Sequence, residues 1–531
     1  MEPSHFSKDR TILLALIGAF SFLLFFQFPN ERLFDPDEAR YAQIPRELIR
    51  SKDWLTFRLN GTAYFEKPPL LYWLNAAAMS VFGETPWAAR LPTRLAAFGT
   101  VLLLIFFAGS RAPPLAGLWA GLFYISALVP FGLGRINLTD GILSFFLTLT
   151  FLLVRDYFAT SKRAALIGVA AALAMLAKGL IAVVLPGLVV IVWAALAGRL
   201  KNVVSLIFSS ASVVFLAITV PVFALVEQHN PGFSHFFFIR EHFQRYSTGI
   251  HERTGPVTYF VPVLIGGFLP WTAAWLAAIR ASWSDRGDRL YYFVWAALPF
   301  LFFSFSNSKL IPYVLPCFPA MAALTGVWAA GRPTPGRRFW MGNAVLMTAL
   351  ALAGLIAAPR TALLERVPMM PEVTVIALCI AASGWAAYFL RGRIERALQA
   401  VAVCWLGVVL TVVYIAPRLA SEYSDGDLAT AIQETGGTVV CYKGYSHGLR
   451  WYLDRDISVV AFKGELASDG ALSDDRFWTL PEFWKRWNST ERIVARLPRR
   501  GPIRTLDDFR LCPTPPVFVA QNHHSILIAN R

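Results

Sequence analysis

A polytopic, all-α membrane protein that ends in a small α/β domain is the fold class this sequence predicts, and three observations carry that expectation. Only 16% of the 531 residues are charged and 56% are hydrophobic, against the roughly 25% charged residues of ordinary soluble domains. Apolar stretches approaching the ~20 residues needed to cross a bilayer recur along most of the chain. After residue 416 that pattern stops, and short β-rich runs alternate with helical ones.

The apolar stretches cover residues 11–28, 86–109, 114–134, 138–157, 164–178, 180–197, 203–226, 257–279, 290–305, 310–329, 339–357, 372–390 and 398–416, thirteen predicted spans. The first lacks a small-residue cleavage site before its polar follow-on, so it reads as a retained span. Short basic loops lie at Arg155 to Arg163, Arg199 with Lys201, Arg280 to Arg289, Arg332 to Arg338 and Arg391 to Arg396. They fall on one side together with Lys8 and Arg10, and the positive-inside rule makes that side cytoplasmic. The longer mixed loops, 29–85 and 227–256, then face outward, into the periplasm of a Gram-negative cell. An odd number of spans also puts the tail outside. The expected division is a membrane-embedded body over 1–416, including both long loops, and an exterior α/β domain over 417–531. In that tail TVVCYK (438–443), ISVVAF (457–462), ERIVARL and VFVA read as strands and SHGLRWYL (446–453) as a helix.

The net charge of +15 could suggest nucleic acid. Lys and Arg mostly punctuate the apolar runs, however, so anionic headgroups and an anionic lipid substrate are the better partners and nucleic acid is not one. Of five cysteines, Cys317, Cys379 and Cys404 lie in apolar segments as packing residues, which leaves Cys441 and Cys512 as a candidate disulfide in the tail.

The first long loop opens with LFDPDEARYAQIPREL (33–48), an acidic cluster at the mouth of a span. EARYAQIPRELI and PPLLYWLNAAAMSVFG (68–83) have helical periodicity and read as amphipathic helices in the membrane interface. Asp35 or Asp37 then stands at a helix start, where carboxylates are favoured and capping is available. Asp37 lies one turn before Arg40 and Tyr41 and shares a face with them. A capped helix with a local salt bridge is enough to explain that much. Further along, YFEKPPLLYW sets Glu66 and Lys67 before two prolines that stiffen the turn. Asp140 in GRINLTDGIL, Lys178 in LAMLAKGLIAV and Lys309 in FSNSKLIPYVLP each sit at the outer end of an apolar run.

Any one of those lysines is explained by snorkelling. Taken together, Asp37, Glu66 and Asp140 with Arg40, Lys67, Lys178 and Lys309 share one predicted face. The loop REHFQRYSTGIHERTGP (240–256) adds His242, Arg245, His251 and Arg253. Transport would favour charge near mid-membrane. Charge gathered at one interface instead suits chemistry on a substrate with its tail in lipid and its head in water. Convergent cations bind phosphate oxygens. A carboxylate activates an acceptor hydroxyl, or offsets the charge of an oxocarbenium-like transition state. A sugar linked to a lipid phosphate supplies both targets, and no Gly-rich nucleotide loop is present. A lipid-linked sugar transporter would instead need essential charges deep in the spans. A membrane scaffold would lose only stability when Asp37 is neutralised.

FDPDEARYAQIPREL, GTAYFEKPPLLYWL, LTDG, LAKG and SKLIPYVLPCFPAMA, in that order, resemble the bacterial lipid A aminoarabinose transferase (ArnT) group, within the membrane-embedded glycosyltransferases of GT-C type. The similarity covers roughly 11–420; LTDG and LAKG are weak motifs by themselves, and the tail matches only as a small exterior domain. The resemblance implies thirteen transmembrane helices, an inner-membrane location and a periplasmic active site. It further implies transfer of 4-amino-4-deoxy-L-arabinose from undecaprenyl phosphate to a lipid A phosphate; nothing in the sequence demands a partner protein, so a monomer is the expectation. Asp37 matches the family's first-loop carboxylate and Asp140 its second functional aspartate, with Arg40 and Tyr41 beside the first. Lys67, Lys178 and Lys309 match residues around the donor phosphate, and His251 and Arg253 are the loop positions chosen for the family's histidine and arginine. Some members hold zinc near the glutamate and loop histidine, which would implicate Glu66 with His251, although two ligands alone do not make a zinc site. Related enzymes act on lipopolysaccharide core or on protein hydroxyls, and these motifs do not separate the acceptors.

Overall fold

The computed structural model describes residues 3–108, 112–244, 255–282, 287–462, 464–466, 475–499, 505–510 and 512–531. The chain divides into two compact units. One comprises Met1–Gln27, Glu66–Leu71 and Arg90–Ile415, and the other Phe28–Phe65, Tyr72–Ala89 and Ala416–Arg531.

The first unit is helical. All thirteen apolar stretches lie largely in helix. Among the described residues, seven helices are long and apolar enough to cross a membrane, or nine when each of two bent pairs counts as one span. The protein is therefore polytopic, but length alone does not reach the expected thirteen. Ala164–Lys178, Ile181–Leu196 and Asp288–Ser304 have only 15, 16 and 17 residues. The bent pairs are Ala116–Ser126 with Leu128–Gly134, at 68°, and Val257–Gly267 with Thr272–Ala281, at 105°.

A bend frees main-chain groups that hydrocarbon cannot satisfy, and here the two bends satisfy each other. The Leu128 N–H donates to the Leu269 carbonyl at 3.2 Å. The Trp271 indole donates to Ser126 Oγ at 2.8 Å, and the Trp405 indole to the Ser126 carbonyl at 2.7 Å. Two buried arginines do similar work at the end of helix Pro3–Phe25. Arg135 donates to the carbonyls of Leu23 and Phe26, while Arg94 reaches the Phe25 carbonyl at 3.2 Å and Gln27 at 2.6 Å. Glycine lets backbones touch: a Cβ on Gly326 would stand 2.5 Å from the Ala116 carbonyl oxygen.

The second unit is built on a six-stranded mixed sheet. Its spatial order is Phe477–Trp478, Ser458–Val460, Thr438–Tyr442, Ile493–Pro498, Ser525–Ala529, Val517–Gln521, with the first four parallel and the last two antiparallel to their neighbours. The helix predicted at 446–453 forms as His447–Leu453. Strand alternation sorts the core: Val440 and Tyr442 face Phe483, Trp487 and Phe509, whereas Val439 and Cys441 face Leu428, Ile432 and Leu449. That alternation corrects the candidate disulfide. Cys441 lies in one layer and Cys512 packs against the other, and both thiols are free.

The expected first-loop helix forms as Asp37–Ser51, but its apolar face is covered by protein rather than lipid. Leu33, Ala39 and Ala42 pack with Met79, Ala88 and Trp451. Arg46 stacks 3.4 Å from the centroid of the Trp451 ring and donates to its carbonyl at 2.7 Å. Arg50 pairs with Glu84 at 2.7 Å and Asp454 at 2.5 Å. Just before the helix, the Asp35 carboxylate accepts the N–H groups of Gly448 at 2.8 Å and Asp425 at 3.0 Å. Burial, with the neighbouring Asp425 carboxylate adding to it, pushes the Asp35 carboxyl up to about 8.

Two measurements check these arguments. Gly326→Ala is expected to cost about 1–3 kcal/mol through overpacking, seen as a lower melting temperature in detergent. Gly342→Ala, whose added methyl meets nothing within 4 Å, leaves that temperature unchanged or slightly raised. The second concerns pH. The folded chain keeps the Asp35 proton up to about pH 8, whereas an unfolded chain loses it near the ordinary value of 3.8. Asp35 thus stabilises the fold at acid pH and withdraws that support as pH rises through 8. The wild-type melting temperature should fall more between pH 5 and 9 than that of Asp35→Asn, and parallel curves would refute the assignment.

Candidate active site

In the first unit, Asp140 is the second residue of helix Thr139–Thr160 and Lys178 the last of Ala164–Lys178. The two helices form a hairpin, so a carboxylate at one helix start stands beside an ammonium at the other's end, each where helix-end polarity favours it. Lys178 Nζ donates to Asp140 Oδ1. It also lies 4.7 Å from the centroid of the Tyr313 ring, a cation–π contact. Tyr313 sits in the turn Ile311–Cys317 with its ring 5.1 Å from Phe303. Lys178 is therefore paired, not snorkelling.

Lys309 is engaged differently. Its Nζ donates to the carbonyls of Phe303, Ser304 and Ser306 at 3.4, 2.8 and 2.8 Å, which closes the end of helix Asp288–Ser304. All three ammonium donors are spoken for by main chain. Lys67 donates to the Glu66 carbonyl at 3.0 Å and lies 4.0 Å from the Glu66 carboxylate and 3.9 Å from that of Glu241.

In the second unit, Asp37 opens its helix without capping it: Pro36 is the N-cap, and Glu38 turns back to accept the Phe34 N–H at 3.0 Å. Arg40 donates to Asp37 Oδ1 at 2.9 Å and to the Tyr64 hydroxyl at 3.1 Å. The Arg40 side chain is 9% exposed and that of Asp37 44%, so a buried cation holds an accessible carboxylate. Tyr41 is buried, with its ring 6.2 Å from that of Tyr72.

The structure thus pairs Asp37 with Arg40, Asp140 with Lys178, and Glu66 with Lys67. Three residues passed over in the sequence join them: Tyr64, Tyr313 and Glu241. Each lies inside a quoted motif, and the two tyrosines were legible only as aromatic hydroxyls among charged neighbours. Arg245, His251 and Arg253 lie outside the described residues. Among the described residues no group of three or more His, Cys, Asp or Glu side chains converges to hold a metal ion. The Glu66–His251 pair falls partly outside the described residues, and no step below runs through a metal.

The profile of the dolichyl-phosphate-mannose-protein mannosyltransferase family matches residues 12–237. An undecaprenyl phosphate-alpha-4-amino-4-deoxy-L-arabinose arabinosyl transferase of Aeromonas salmonicida is 32% identical over 63% of this chain and 64% of its own length. The arabinosyl transferase 1 of Proteus mirabilis is 30% identical over 91% of each chain. The crystal structure of ArnT from Cupriavidus metallidurans bound to undecaprenyl phosphate superposes with a TM-score of 0.82 at 27% identity, covering 98% of each chain. By that likeness over nearly its whole length, the chain belongs to the family of the undecaprenyl phosphate-alpha-4-amino-4-deoxy-L-arabinose arabinosyl transferases.

Proposed function

We propose that this protein transfers 4-amino-4-deoxy-L-arabinose from undecaprenyl phosphate to a phosphate of lipid A, at the periplasmic face of the inner membrane. The observation that carries the reading is the whole-chain likeness to an ArnT with undecaprenyl phosphate bound. In this reading the body crosses the membrane thirteen times, with helix Pro3–Phe25 and the three short apolar helices added to the nine. Residues 417–531 form the exterior domain, and the enzyme works as a monomer.

The chemistry is a direct displacement with inversion. A lipid A phosphate oxygen attacks the anomeric carbon as the bond to undecaprenyl phosphate breaks. A phosphate acceptor is already ionised at neutral pH and needs no general base. Asp37 then orients the sugar: Arg40 occupies Oδ1, and the other oxygen is offered to the sugar's ammonium or to the positive charge of the transition state. Lys67 and Lys178 offset charge on the departing phosphate, with Arg253 and Lys309 assigned the same task and Tyr41 lining the sugar. Phosphate draws Lys178 away from Asp140, which steadies the ammonium between turnovers.

A hydroxyl acceptor is the second reading, favoured by the match to the protein mannosyltransferase profile. Asp37 would then remove the acceptor proton.

Mass spectrometry of lipid A and whole lipopolysaccharide from cells with the wild-type gene, Asp37→Asn or no gene separates these outcomes. The added mass of the aminopentose is expected on lipid A only with the wild type, with Asp37→Asn at least 100-fold less active and normally folded. A sugar missing elsewhere in lipopolysaccharide would move the acceptor, and full activity of Asp37→Asn would remove Asp37 from the mechanism. Lys178→Met is expected to lower kcat/KM for the donor about tenfold or more, as loss of a charge-assisted contact to the departing phosphate demands. A reporter fused after residue 420 should be periplasmic, and a cytoplasmic signal would overturn the span count.

A further inference from the structure

The helix that presents Asp37 is fastened at both ends to the C-terminal layer of its own unit, and the two fastenings differ. At the far end Arg46, Glu47 and Arg50 meet Trp451, Arg450, Asp454 and Glu84. The loop beyond it is tied as well, since Asn60 and Ile457 exchange two hydrogen bonds of 3.0 Å. At the near end, two residues before Asp37, Asp35 is the tether closest to the helix; further back the Leu33 N–H donates to the Tyr452 hydroxyl at 2.8 Å and Arg32 pairs with Asp427 at 2.6 Å. The two carboxylate oxygens of Asp35 each accept a main-chain N–H, from Gly448 and Asp425, and its own N–H donates to the Tyr423 carbonyl at 3.0 Å.

The receiving side is shaped for this carboxylate. A Cβ on Gly448 would stand 2.0 Å from Asp35 Oδ2, so the close approach requires glycine there. Asp425 is itself immobilised. Its carboxylate accepts from Ser446 at 2.5 Å, Asn522 at 2.7 Å and Ser525 at 3.0 Å, and Arg496 stands 3.9 Å away. The pattern also discriminates between side chains. Both partners of Asp35 are donors, so aspartate satisfies both, asparagine only one and alanine neither. The neighbouring Asp425 carboxylate makes an ionised Asp35 costly. Asp35 therefore keeps its proton at neutral pH, and a buried carboxyl with no contact to the sugar chemistry assigned above points to geometry as its purpose.

We propose that Asp35 is a positioning residue for the transfer reaction, holding the start of helix Asp37–Ser51 against Gly448 and Asp425 so that Asp37 and Arg40 keep one fixed orientation. The proposal rests on the transferase reading above and adds to it a role for the C-terminal domain. Because the far-end pairs remain when Asp35 is replaced, the helix stays folded and only its first turn loosens.

The test uses the full-length protein reconstituted in vesicles with the undecaprenyl phosphate-linked sugar and lipid A. Asp35→Ala should lower kcat about tenfold or more with the donor KM changed less than twofold, and Asp35→Asn should recover part of that loss. Asp35→Ala combined with Asp37→Asn should be no slower than Asp37→Asn alone, because one residue acts through the other. Hydrogen exchange should quicken at 37–44 and stay constant at 45–51, which also guards against a merely misfolded variant. Full kcat in Asp35→Ala would overturn the proposal, as would a loss matching only the fraction of folded protein, or multiplicative losses in the double variant. A wild-type protein that transfers no sugar sinks the transferase reading itself, a result distinct from an active wild type indifferent to Asp35.

Discussion

Charge removed from water must be answered inside the protein, and the arrangement of this molecule follows from how each buried charge is answered. An unpartnered guanidinium or ammonium beside lipid costs several kcal/mol, far more than a typical hydrogen bond contributes. The helix ends supply the answer repeatedly. Arg94 and Arg135 take the carbonyls at the end of Pro3–Phe25, and Lys309 takes those at the end of Asp288–Ser304. The same demand joins the two bent pairs, whose freed main-chain groups meet between Leu128 and Leu269. Such bends can be placed in an apolar body only where another element closes them.

Satisfaction of this kind also prepares a site for chemistry. A lysine held by a carboxylate, as Lys178 is by Asp140, keeps its position without substrate and needs little reorganisation when phosphate arrives. Lys309 is different, since exchange of its three carbonyl partners for phosphate would open the end of a helix. Of the lysines assigned to phosphate, Lys178 is thus the better placed to change partner in each turnover. Lys309 is better placed to hold still the turn that carries Tyr313.

Much of this was legible in the sequence because its signals are local. Apolar length marked the helices, a period of 3.6 marked Asp37–Ser51, and β-branched runs marked the central strands of the tail. The Asp37–Arg40 pair followed from helical spacing alone. What escaped depends on residues distant in sequence. Nothing within LFDPDEARYAQIPREL announces that Asp35 meets Gly448, 413 positions away. Tyr313 and Glu241 matter through neighbours on other elements. The strand that carries Cys441 turns it into the layer opposite the one Cys512 packs against, a separation that cysteine counting does not see. The bends were hidden for another reason: an apolar run reads the same whether the helix inside it is straight or broken.

The order of Asp35, Pro36 and Asp37 shows how a short segment divides its labour. One carboxylate is directed at main-chain donors and is spent on attachment. The other, two residues on, keeps a 44% exposed side chain and shares only one oxygen with Arg40. Had both been committed to structure, the loop would be rigid and inert. Had both been free, two like charges so close would repel and the helix start would fray. A buried cation beside the second carboxylate and a glycine beneath the first resolve that conflict, because each carboxylate then has its own partners. In the reading proposed above, the acidic cluster therefore combines an anchor with a working group, and the anchor is what lets the working group stay exposed yet ordered.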